Sequence, residues 1–156
     1  MGNYAFELEL LLHVVVASVL CGIIGYERGK VNKPAGIRTN MLVGGSVSLL
    51  VMLGEVIVLY FSSLSLDGVI QADPIRIIQS IVIGISFIGA GMVLHIENKK
   101  EVKYLTSSAT ILFSSGIGIA VALKQYILAT GVTLFILFIN LILAHTKLKK
   151  QEEEND

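Results

Sequence analysis

The chain has 156 residues, of which 54% are hydrophobic and only 15% charged, with a mean hydropathy of +0.78. Its apolar residues lie in uninterrupted runs with Lys and Arg gathered between them, a pattern of segments meant for lipid that argues against a soluble enzyme. Net charge is zero and Cys21 is the only cysteine, which excludes an intrachain disulfide and a multi-cysteine metal cluster.

The first apolar run covers 6–26. It opens with Glu7 and Glu9 where a secretory leader would carry basic residues, so it reads as a retained transmembrane helix. Cys21 reads as a buried, inert thiol and His13 as a packing or interhelical hydrogen-bonding residue. Glu27 and Arg28 close this run. Arg38, Thr39 and Asn40 open the next, across a short connection shaped by Pro34 and Gly36, and charged helix ends of this kind are read first as a structural ion-pair network.

The second span, 38–61, places Gly44, Ser48 and Glu55 on one face. Glu55 is the only acidic residue well inside a span, where a charge is costly unless paired, protonated or wet. Arg76 is the partner expected for it. The third span, 74–94, starts at Asp73-Pro74: the carboxylate accepts free backbone N–H groups and Pro fits the first turn. Asp73 is either a cap alone or a cation-accessible carboxylate near Asp67. Two loosely spaced carboxylates define no metal, and none is assigned.

Along the third span Arg76, Ser80, Gly84, Phe87 and Gly91 share a face. The fourth, 106–123, carries Thr110, Ser114, Gly118 and Ala122 at intervals of four. Small residues permit the close backbone approach on which association in lipid depends. The seams are therefore expected to meet, with Gly84, Gly89, Gly91, Ser114 and Gly118 as helix-packing positions. Only Lys124 and Gln125 separate the fourth span from the fifth, 126–145, so these two are antiparallel neighbours. Asn140 is a lone polar residue in the fifth. A charged tail, 147–156, is expected to lack regular structure, which leaves 1–146 as the transmembrane domain.

The fold class expected is thus an all-α integral membrane bundle of about five helices. Ten of the twelve Lys and Arg residues fall on one side of this layout, with Arg76 and Lys124 on the other. The positive-inside rule then sets the N-terminus outside and the C-terminus in the cytoplasm. No Walker motif, H-E-x-x-H or nucleophile–base spacing occurs, so neither catalysis nor a cofactor is expected, and nucleic acid is not expected as a partner.

Three stretches carry a family resemblance. Gly25–Gly29 (GYERG) with Pro34–Val43 (PAGIRTNMLV) resembles the opening signature of the MgtC/SapB membrane proteins. Asp73–Arg76 followed by Gly84–Gly91 resembles the second, and Leu105–Ala109 (LTSSA) the third. Ser86 stands where that motif has Gly, and Ser107-Ser108 replace a Thr-Ala pair. The C-terminal soluble domain of longer members is not expected here.

The resemblance implies a multi-pass inner-membrane protein linked to magnesium limitation or acid stress, non-enzymatic, acting on another membrane protein such as the ATP synthase. Matched by motif, the residues of interest are Glu27, Arg28, Arg38, Thr39, Asp73, Arg76, Gly89, Gly91 and Thr106. The competing reading is a small proton or cation transporter or channel using Glu55, Asp73 and Arg76. A homodimer within the bilayer is the expected assembly.

Overall fold

Long apolar runs in lipid must satisfy their own backbone polar groups, and the helix does so within one segment. The computed structural model describes residues 4–30, 34–63, 73–94 and 104–153. These form five α-helices: α1 (Tyr4–Lys30), α2 (Ile37–Ser63), α3 (Pro74–Leu94), α4 (Leu105–Ala122) and α5 (Tyr126–Glu153). Helices α1 to α4 are each long and apolar enough to cross a membrane. The apolar stretch of α5, Tyr126–Ile142, is shorter, about 25 Å at 1.5 Å per residue. Its backbone stays helical to Glu153, past the expected span end at 145. Asp67, residues 95–103 between the third and fourth spans, and residues 154–156 lie outside the described residues.

Helix α4 is central and touches α1, α2, α3 and α5. One apolar cluster joins α1, α4 and α5 through Ala17, Cys21, Ile24, Ile117, Val121 and Ala129. A second joins α2, α3 and α4 through Val43, Val47, Ile81, Ile85 and Ile111. Between α1, α2 and α4 the backbones nearly touch. A Cβ added at Gly118 would sit 2.5 Å from the Gly44 carbonyl oxygen and 3.1 Å from Val47 Cβ. One at Gly44 would strike Cys21 Sγ, and one at Gly25 would lie 2.6 Å from Ile37 Cα. Close packing of this kind replaces the hydrophobic driving force that lipid does not supply.

One packing expectation is corrected by the fold. The α3 seam does not join the others: Arg76, Ser80, Gly84, Phe87 and Gly91 are all exposed, and a Cβ on Gly84 or Gly91 would meet nothing within 4 Å. Instead α3 packs through Ile77, Ile81 and Ile85, with Gly89 beside Ser108. The branched row fills space against Val47 and Ile111 that a glycine stripe would leave empty, so dispersion contacts favour it. Among the described residues of the α1–α2 connection Ala35 is left-handed (φ 60°), while Gly36 is not. Asn40 steadies this turn, its Nδ2 donating to the carbonyls of Ala35 at 2.6 Å and Gly36 at 2.9 Å.

Candidate functional site

The antiparallel helix order gathers the motif residues at two opposite ends of the bundle. One end holds the close of α1, the start of α2, the first turn of α4 and the later part of α5. Here Arg28 is 1% exposed and its Nη2 donates to Ser107 Oγ at 2.8 Å. Glu27 is half-buried, its Oε2 accepting from Asn140 Nδ2 at 2.7 Å. Deeper in, fully buried Asn40 accepts at Oδ1 from Ser114 Oγ at 2.8 Å, while Cys21 Sγ donates to the Ser114 carbonyl at 3.4 Å. The first and third signatures, far apart in sequence, therefore meet through Arg28 and Ser107. Arg38 and Thr39 are exposed. So is Thr106, whose carbonyl accepts from Thr110 Oγ1 at 2.8 Å.

The opposite end is organised by shorter-range and more exposed contacts. Asp73 caps α3 as expected, its Oδ1 accepting from the Ile75 N–H at 3.0 Å. Its Oδ2 lies 3.5 Å from Arg76 Nε, with both side chains largely in the open. The pair expected between Glu55 and Arg76 does not form among the described residues. Arg76 turns to Asp73 one turn away and borders a groove of about 630 Å³ with Ser46, Ser80 and Gly84. Glu55 instead borders a separate cavity of about 420 Å³ with Pro74, Ile78 and Lys124. The two side chains start at the same end but leave α2 and α3 in different directions.

Lys124 occupies a left-handed turn position (φ 60°) between α4 and α5 and donates to Glu9 Oε1 at 2.7 Å. That hydrogen bond, with the charges of Glu9 and Glu55, raises the Lys124 pKa. Beside it, buried His13 has Nδ1 2.6 Å from the Glu9 carbonyl and Nε2 2.6 Å from Tyr126 Oη. A carbonyl can only accept, so Nδ1 carries a proton. Among the described residues no three His, Cys, Asp or Glu side chains gather as a metal-ligand set.

Sequence reasoning named Glu27, Arg28 and Asn140, the last as a packing or interhelical hydrogen-bonding residue, but paired none of them, and it met Asn40 and Ser107 only within motif stretches. Asn40, Ser107 and Asn140 are polar residues on buried or half-buried faces of apolar helices. Each had to find a hydrogen bond, and that requirement is the signal that could have ranked them higher.

The comparisons with known proteins agree with the three signatures. "Putative magnesium transporter YhiD" of Escherichia coli is 36% identical over 118 residues, covering 76% of this chain and 53% of its own length. "Protein SapB" of Bacillus subtilis is 33% identical over 135 residues, covering 86% of this chain and 56% of the relative. "Protein MgtC" of Salmonella typhimurium is 34% identical over 133 residues, covering 85% and 52%. This chain thus spans about half the length of the curated relatives it matches. No solved structure matches it. The MgtC family profile aligns with residues 14–149, and with a membrane bundle that brings all three signatures into contact through Arg28–Ser107 and Ser108–Gly89, the chain belongs to the MgtC family.

Proposed function

We propose that this MgtC-family membrane protein is a non-enzymatic regulator of the inner membrane, used in adaptation to magnesium limitation or acid stress. It acts by binding another membrane protein, with the ATP synthase as a candidate, and it pairs with a second copy of itself. The charge split sets its N-terminus outside and its C-terminus in the cytoplasm. The observation that carries this reading is the outward face of α3. Gly84 and Gly91 are open to close approach, and Arg76 and Ser80 are exposed beside them. Polar and small groups on a lipid-facing surface favour another helix over acyl chains.

A photoreactive residue at Phe87, which is 81% exposed, tests the reading in native membranes. The expected outcome is a crosslink to a different membrane protein together with a self-crosslink, both absent from the same probe at Phe138 on α5. Lipid adducts alone from Phe87 would defeat it.

Transport is the second reading, supported by the cavity that Glu55 and Lys124 share. Against a conduit through the bundle stands the layer formed by Gly44, Val47 and Gly118, where α2 and α4 are in backbone contact. Cation flux in liposomes that Glu55→Gln abolishes would favour transport.

A further inference from the structure

Arg28 is among the largest fully buried side chains, with 1% of its surface exposed. Its Nη2 has Ser107, but its Nε is a buried donor with no acceptor among the described residues. Glu27 lies near enough for its charge to act on the guanidinium, but its carboxylate hydrogen-bonds Asn140, and the ion pairs Asp73–Arg76 and Glu9–Lys124 belong to the other end. A buried donor without an acceptor is costly, and native structures satisfy it by some means.

The helix that Arg28 touches makes the imbalance larger. Ser107 lies in the first turn of α4, whose N-cap residue, Tyr104, is left-handed (φ 67°) and gives no side-chain cap. The first helical hydrogen bond runs from Ser108 N–H to the Tyr104 carbonyl at 3.0 Å. The N–H groups of Leu105, Thr106 and Ser107 precede it and have no intrahelical acceptor among the described residues. They carry the positive end of the helix dipole. The Ser107 hydroxyl accepts from Arg28 and so keeps its own proton to donate. Ser108 is committed elsewhere, to the Gly89 carbonyl at 2.7 Å. Thr106 is exposed and offers a further hydroxyl on the open side of the turn.

Donors therefore lie around one turn: backbone N–H groups without an acceptor among the described residues, the hydroxyls of Thr106 and Ser107, and the Nε–H of the buried guanidinium that touches Ser107. The acceptor they lack is an anion rich in oxygens. We propose that the first turn of α4, with Arg28 behind it, binds a phosphate group. A phosphate presents several acceptor oxygens at once, which suits a helix N-terminus backed by arginine. The site lies where α1 ends and α4 begins, at one end of the spanning helices, and that position admits two sources. The phosphate belongs to an anionic lipid headgroup or to a free phosphate in solution. The site stands independently of the regulatory reading above, because it uses neither the α3 face nor any partner protein.

The test uses the full chain in nanodiscs at constant ionic strength. Inorganic phosphate is titrated into phosphatidylcholine discs, and lipid retention is counted by native mass spectrometry after exchange into mixed phosphatidylglycerol and phosphatidylcholine. Selective retention of phosphatidylglycerol identifies a lipid headgroup. Saturable stabilisation by inorganic phosphate identifies the free ion.

Arg28→Gln is expected to weaken either signal about tenfold or more, the scale of one charge-assisted hydrogen bond. Because Arg28→Gln removes a buried group and can impair folding, Thr106→Asp is the second variant. Its carboxylate occupies the free N–H groups from an exposed position, so it should raise the melting temperature while abolishing binding. Absence of both signals in the wild-type chain overturns the proposal. So does binding that survives Thr106→Asp unchanged.

Discussion

Helices α3 and α4 have similar sequence patterns and opposite fates. Each is apolar, and each carries a row of small residues along one face: Ser80, Gly84 and Gly91 on α3, and Thr110, Ser114, Gly118 and Ala122 on α4. The whole α4 row is buried, whereas the α3 row faces out. Half of the α4 span is covered by the rest of the chain, against 17% of the α3 span. A row of small residues states that a backbone can come near. It does not state whose backbone comes, and the bulk on the opposite face of the helix decides which side turns inward.

The largest effect expected from this contrast is at Gly118. Leucine there would drive a side chain into the Gly44 carbonyl and Val47, both rigidly held, and should cost about 3 kcal/mol or more. Leucine at Gly84 or Gly91 meets open space and should change the stability of the isolated chain by no more than ~0.5 kcal/mol. Thermal unfolding of monomeric protein in detergent separates the two sites. Equal losses at Gly118 and Gly84 would erase the distinction between the helices. On the proposal that the α3 face docks another chain, the α3 substitutions should still reduce self-association or partner capture in membranes.

A second test reaches α4 through its polar partner. Asn40→Ala removes both donors that hold the left-handed Ala35 turn and leaves Ser114 without its acceptor. Loss of buried hydrogen bonds with an orphaned group left behind should cost about 2–3 kcal/mol. Its effect and that of Ser114→Ala should fall well short of additive in a double-mutant cycle, because the two residues share one bond. Additivity there would mean that the bond contributes nothing.

The legibility of this molecule follows the same division. Five apolar runs and an Asp-Pro start carry strong local signals, and the helices appear where those signals lie. Which residues meet across helices depends on rotation about each helix axis, and a residue row alone does not fix that rotation. Arg28 and Ser107 were within reach because two signatures bracket them. Glu27 and Asn140, and Asn40 and Ser114, meet only once α4 and α5 are placed. Glu55 and Arg76 share an end and opposite charge, which made a pair plausible. The structure separates them, since a carboxylate one turn before Arg76 is the nearer partner. Accordingly Glu55→Ala and Arg76→Ala should be additive within about 0.5 kcal/mol. A coupling larger than that would restore the pair and draw α3 more tightly onto α2.

The smallest effect lies just past the end of α4, where Lys124 meets Glu9. The folded pKa of Lys124 is raised above its ordinary value of 10.5 by that hydrogen bond first, and then by the Glu9 charge. The unfolded chain binds the Lys124 proton less tightly than the folded chain. The stabilisation is therefore complete below about pH 10.5 and is lost as the pH rises through the folded value. Both partners are well exposed, so the bridge is weak and screened by salt. A pH series from neutral to strongly alkaline should show a shallow fall in melting temperature in the wild-type chain. Added salt should flatten that fall, and Glu9→Gln should remove it. A fall that persists in Glu9→Gln would assign the alkaline loss to other groups and leave the α4–α5 turn held by backbone contacts alone.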